Sequence, residues 1–149
     1  MAAYLDRMPA GIPGDVSRKT QSVLEAGLMA ESVAYGSPVK IDGSGKLAPL
    51  AAATDTVYGF MARPYPSQAE SAEAGRIHDC MRSGYMTVKL ASGTAARGGA
   101  VYVRIAAESG KNIGDLESAL VADKTVAIPG CLFMGAADAG GNVEISFNI

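Results

Sequence analysis

Alternating apolar and polar side chains dominate the middle of the chain. Residues 84–106 read GYMTVKLASGTAARGGAVYVRIA. Met86, Val88 and Leu90 share one face, with Tyr85, Thr87 and Lys89 on the other. Val101, Val103 and Ile105 then alternate with Tyr102 and Arg104. A period of two, rich in β-branched and aromatic residues, predicts two strands. Gly93, Gly98 and Gly99 supply the backbone freedom of a turn, so the pattern predicts a hairpin whose two strands pair directly. A lone hairpin is marginal in water, and this one needs further strands to pack against.

The flanking sequence supplies them. Residues 38–41 predict a strand, Asp42-Gly43-Ser44-Gly45 a turn, and residues 46–50 the return. Residues 57–65 (VYGFMARPY) predict a further strand that Pro64 ends, with Gly59 marking a bulge or a close backbone approach. Residues 66–75 are polar and predict a solvated loop, and residues 77–82 lead into the central hairpin. Residues 108–123 admit two readings: a short helix lined by Leu116, Leu120 and Val121, or a loop over a sheet edge. Residues 126–134 predict a strand broken at Pro129-Gly130, and residues 138–142 a turn. Val143, Ile145, Phe147 and Ile149 alternate to the last residue, predicting a terminal strand docked along its whole length. At least six short strands with Gly-rich turns imply an all-β sandwich or barrel.

Residues 1–30 differ. Pro9, Gly11, Pro13 and Gly14 crowd the start, and a polar run with Arg18 and Lys19 follows. Proline lacks an amide donor and glycine loses most entropy on ordering, so this stretch predicts an extended arm, either a frayed terminus or an arm that orders on a partner surface. The domain reading is an arm over residues 1–30 and a β-sandwich body over residues 31–149.

Composition narrows the function. A chain of 149 residues, 48% hydrophobic and 19% charged, suits one folded domain. Its formal net charge of −2 argues against nucleic-acid binding. No apolar run approaches the ~20 residues that span a bilayer. The first residues lack a basic start and an apolar core, so folding in the cytoplasm is expected, with Cys80 and Cys131 as free buried thiols.

The search for chemistry finds no constellation. His78 and Cys80 lie two apart on a predicted strand, without a third orienting group. One histidine and two cysteines outside a CxxC spacing make no zinc site, and Walker A, GxGxxG and GxSxG motifs are absent. Neither cofactor nor metal is expected. The scattered carboxylates read as surface and turn residues. Tyr58, Tyr65, Tyr85 and Tyr102 read as half-buried packing, and Arg63, Arg82 and Arg104 as exposed-side arginines.

Several segments carry a likeness. They are Gly11-Ile12-Pro13-Gly14-Asp15-Val16, Ala34-Tyr35-Gly36-Ser37-Pro38-Val39, Val57-Tyr58-Gly59-Phe60, Arg63-Pro64-Tyr65-Pro66, Gly84-Tyr85-Met86, Gly99-Ala100-Val101-Tyr102-Val103-Arg104 and the tail from Asp138. In this order and spacing the chain resembles the structural cement, or capsid decoration, proteins of tailed bacteriophages. The resemblance implies a β-sandwich or jelly-roll-like body with an extended N-terminal arm. It implies a non-enzymatic virion protein, made in the bacterial cytoplasm, that binds the outer face of an expanded shell and cements neighbouring major capsid subunits. The expected partners are the major capsid protein and the chain itself, as a homodimer or alternatively a homotrimer. Ile12, Pro13, Val16, Arg18 and Lys19 are the expected arm contacts, with Tyr58, Arg63 and Tyr65 at the base of the body. The rival readings are another β-rich virion part, such as a head fibre base or tail component, and a small β-barrel enzyme or ligand carrier.

Overall fold

In a computed structural model, residues 10–65 and 67–149 are described, and within them the fold is built on one long strand. The strands are β1 (Val23–Leu28), β2 (Val33–Ala34), β3 (Pro38–Ile41), β4 (Leu47–Pro49), β5 (Gly59–Met61), β6 (Ser71–Ala72), β7 (Ile77–Ser92), β8 (Ala100–Arg104), β9 (Leu116–Glu117), β10 (Thr125–Phe133) and β11 (Asn142–Phe147). The architecture is all-β and sandwich-like, with antiparallel pairing except between β7 and β9.

The 16 residues of β7 serve two assemblies. Its C-terminal half pairs with β11 on one side and β9 on the other, and the order β11-β10-β8-β9-β7 returns to β11, closing a ring. Its N-terminal half lies between β1 and β5, and β3 and β4 extend that sheet. Each assembly encloses its own apolar cluster. Met86, Val88, Val101, Val103, Phe133, Val143 and Ile145 fill the ring. Met29, Val33, Val39, Leu47, Met61 and Cys80 fill the second cluster.

Local chemistry explains much of this. The predicted 38–41 strand and its return appear as β3 and β4, with the Asp42 carboxylate accepting from the backbone N–H groups of Ser44 (2.8 Å) and Lys46 (2.9 Å). Those bonds hold the Asp42 carboxyl below its usual range. Gly59 is a close approach, as expected: a Cβ there would sit 2.4 Å from Cys80 Sγ and 2.5 Å from the Met81 carbonyl oxygen. Pro129-Gly130 leaves β10 continuous but shifts its register against β8 between Ala127 and Leu132. Cys80 and Cys131 are free and buried.

Four expectations are corrected. The two strands of the central hairpin do not pair directly, because β9 lies between β7 and β8. The segment 108–123 contributes that strand rather than a helix: Leu116 is buried, while Leu120 is left 67% exposed. Arg104 is not an exposed-side arginine but fully buried. The loop after β8 folds back over it, with the Arg104 N–H donating to the Asp115 carbonyl (2.8 Å) and the Gly114 N–H to the Arg104 carbonyl (2.9 Å). Finally, the terminal strand ends at Phe147, and Ile149 is exposed.

The polar centre of this fold follows from the third correction. Arg104 Nε donates to Glu117 Oε1 at 2.5 Å, and Arg104 Nη1 lies 3.4 Å from Glu108 Oε2. Lys111 approaches Glu117 at 3.6 Å, and Lys124 pairs with Glu108. Both Arg104 and Glu117 are withdrawn from water, so each charge depends on the other. The Glu117 hydrogen bond, ahead of the other effects, raises the Arg104 pKa and keeps it cationic.

Candidate interaction surface

The N-terminal stretch from Ala10 to Leu28 is laid along β7. Residues 1–9 of the expected arm lie outside the described residues. The Gly14 N–H donates to the Thr87 carbonyl (2.9 Å), the Thr87 N–H to the Asp15 carbonyl (2.9 Å), and the Ser17 N–H to the Tyr85 carbonyl (3.1 Å). Thr87 Oγ1 also donates to the Ala10 carbonyl. Gly14 is required at its place: its φ is +91°, and a Cβ would lie 2.6 Å from the Tyr35 Cβ. A short 3-10 turn, Lys19–Gln21, interrupts the pairing before β1 resumes it alongside residues 77–83.

The expected contact residues fall in different places. Val16 bridges to Met86 and packs against the ring's core. Pro13 is half-buried, and its carbonyl accepts from Arg63 Nε (3.0 Å). Arg63 Nη1 also donates to the Ala69 carbonyl, and its guanidinium lies 5.0 Å from the Tyr35 ring centre. The Arg18 guanidinium stacks over Tyr85 at 4.1 Å and pairs with Glu144 at 2.8 Å. Lys19 is exposed on the 3-10 turn and Ile12 is 49% exposed, and Tyr65 is not the half-buried packing residue expected of it but stands 93% exposed. Tyr58 donates its hydroxyl to Glu25 Oε1 (2.7 Å) beneath the Arg82 guanidinium (3.5 Å), and that hydrogen bond raises its pKa.

One open groove of about 890 Å³ gathers Val16, Arg18, Lys19, Arg63 and Tyr65. Leu24, Asp79, Met134 and Glu144 are among the other residues that line it. Ile12, Pro13 and Tyr58 stand outside it. The groove continues onto a strip the sequence reading passed over. Leu24 is 45%, Leu28 40% and Ile77 71% exposed, and Leu28 lies directly opposite Ile77 in the β1–β7 register. The signal was present as the alternation Leu24, Ala26, Leu28, hidden by the polar, proline-rich run before it.

His78 and Cys80 do not form a nucleophilic pair. The Tyr35 hydroxyl lies 3.5 Å from His78 Nδ1, and the Glu73 backbone N–H donates to Nε2 (3.2 Å). Burial pushes the Cys80 thiol up to about 12 and raises Cys131 further. Neither is poised as a thiolate at neutral pH.

Residues 1–147 match the family model described as XM1 gp53 minor capsid protein. The chain belongs to this minor capsid protein family. It is a structural protein of the phage virion, associated with other components of the capsid. Among solved structures, a chain of "The capsid of Myoviridae Phage XM1" has the same fold, with a TM-score of 0.78 at 18% identity, covering 98% of this chain and 95% of that one. No curated protein matches the chain.

Proposed function

We propose that this chain cements the outer face of an expanded phage shell by bridging neighbouring major capsid subunits. The observation that carries the reading is the groove beside β1. Arg18, Lys19 and Arg63 meet the exposed Tyr65 and Leu24 there, on a body whose N-terminal stretch is already fastened to β7. Arginine and tyrosine are enriched among residues that dominate binding energy. A surface ordered before binding loses less entropy on contact than a free arm. Tyr58, on a separate face with Arg82, supplies a second contact area, and Ile12 and Pro13 sit where the stretch enters the body.

The work is adhesive. One body touching two shell subunits, and joined to a second body as a homodimer, shares its binding among linked sites. Avidity then exceeds each single affinity by ~10²–10⁴. Pressure from packaged DNA must break those contacts together rather than singly.

Co-sedimentation with emptied shells tests the reading. Saturable binding to expanded shells, and none to unexpanded ones, is the expected result. Binding to neither form at high protein concentration overturns it. Copy number in the virion comparable to the major subunit is also expected; a few copies per particle would assign the chain to another virion part.

A further inference from the structure

We infer that the groove beside β1 takes an arginine side chain of the partner, its guanidinium bound by the Asp79 carboxylate and the Tyr65 ring and its stem lying on the leucines of β1. The inference rests on the cementing reading, which makes the partner a major capsid subunit, and it names the chemistry by which that subunit is recognised.

Asp79 is a lone charge set in an apolar strip. It lies directly opposite Ala26 in the β1–β7 register, and the next pair on the same face is Leu28 with Ile77. Leu24, opposite Met81, flanks it on the other side. Leu24, Leu28 and Ile77 are all open to water. Among the described residues the Asp79 carboxylate has neither an ion-pair nor a hydrogen-bond partner. The other acids of the groove are engaged, Glu144 by Arg18 (2.8 Å) and Asp15 by the Ile12 N–H (3.3 Å). Arg63 is turned onto the Pro13 and Ala69 carbonyls, and Lys19, on the 3-10 turn, forms no pair with Asp79.

The chain's other tyrosines show what is missing. Arg18 covers Tyr85 at 4.1 Å, Arg63 lies 5.0 Å from Tyr35, and Arg82 covers Tyr58 at 3.5 Å. In two of these the same guanidinium also meets a carboxylate, Glu144 for Arg18 and Glu25 for Arg82 (3.8 Å). Tyr65 and Asp79 line one groove and present the ring and the carboxylate of such a unit, with no guanidinium on either among the described residues. Tyr65 is 93% exposed, and its neighbours Pro64 and Pro66 narrow its backbone freedom, so little entropy is lost when a side chain settles on it. A planar guanidinium fits both groups at once: its face stacks on the ring while its edge gives paired N–H bonds to the carboxylate. A lysine ammonium is a point charge and satisfies them less well. The methylenes of an arginine stem are apolar and lie well on leucine.

Co-sedimentation of the full-length protein with emptied, expanded shells tests the contact. Asp79→Asn is expected to weaken binding by about tenfold and to flatten its salt dependence, with an unchanged melting temperature. Tyr65→Leu is expected to weaken it less, and Tyr65→Phe, which keeps the aromatic face, to recover most of that loss. The double variant Asp79→Asn with Tyr65→Leu should lose little more than Asp79→Asn alone, because both groups act on one side chain. Phenylglyoxal, which modifies arginine, supplies a direct readout on the shell. Bound wild-type protein is expected to protect an arginine of the major subunit, and Asp79→Asn at saturation to leave that arginine reactive. Unchanged binding in both Asp79→Asn and Tyr65→Leu overturns the contact, as does a bound shell with no protected arginine; either result leaves the cementing reading standing. A wild-type protein that binds no shell overturns that reading and this contact with it.

Discussion

The two halves of β7 each alternate, with a register shift between Met81 and Ser83, and meet different fates. In the C-terminal half both faces are covered: Met86 and Val88 point into the ring, and Thr87 on the opposite face is equally buried beneath the Ala10–Asp15 stretch. In the N-terminal half one face is left open at its start: Ile77 and Asp79 face water, until Met81 on that same face packs into the ring's core, while Cys80 on the opposite face is buried in the second cluster. The lesson is that a strand's alternation decides which side chains share a face, while the neighbours laid over the second face decide whether that face is core or contact surface.

The largest expected break in this comparison lies beside the covered half, where β9 bonds to β7. Glu117→Ala leaves the Arg104 guanidinium without its closest partner inside the protein. A loss of about 3–5 kcal/mol is expected in denaturant unfolding. Replacing both residues by apolar ones of similar volume should recover much of that loss, because the desolvation cost is then removed.

Next comes Met86→Ala, in the middle of the covered half, with an expected cost of about 2–5 kcal/mol by the same measurement. The residue is fully buried, and the ring around it is closed, so the cavity has few ways to collapse.

Acid should loosen the turns that serve each assembly. Backbone N–H groups, Asn142 first, hold the Asp138 carboxyl below its usual range in the turn between β10 and β11. The Lys40 ammonium does the same for Asp55 beside β3 and β4. A carboxyl whose folded pKa lies below the unfolded value of about 3.9 contributes stability fully above that value and loses it as pH falls further. The melting temperature is therefore expected to hold from pH 7 to about 5 and to drop below about 4. Asp138→Asn should flatten part of that drop.

The smallest effect sharpens the contrast. Ile77→Ala, on the same strand as Met86 but 71% exposed, is expected to change stability by no more than about 0.5 kcal/mol. A cost as large as that of Met86→Ala would mean that the open face is covered after all.

Much of the architecture was legible because its causes are local. Residues 38–50 carry their own turn chemistry in Asp42, and Gly59 announces a close approach by lacking a side chain. Both appear where the pattern put them. The groove was legible only in part. Val16, Arg18, Lys19, Arg63 and Tyr65 come together, but their neighbours Leu24, Leu28 and Ile77 were masked by sequence context. Arg104 and Glu117 were missed because their pairing needs a loop of intervening residues to fold back.

By itself, the sequence determined that this chain is all-β, where its turns fall, and which side chains share a face, since these follow from backbone sterics and a period of two. The tertiary structure alone decided that β9 enters between β7 and β8, that an arginine lies in the interior, and that residues 10–28 run along β7. Those outcomes depend on long-range hydrogen bonds and on which of several apolar faces is covered first by another, and no local pattern encodes either.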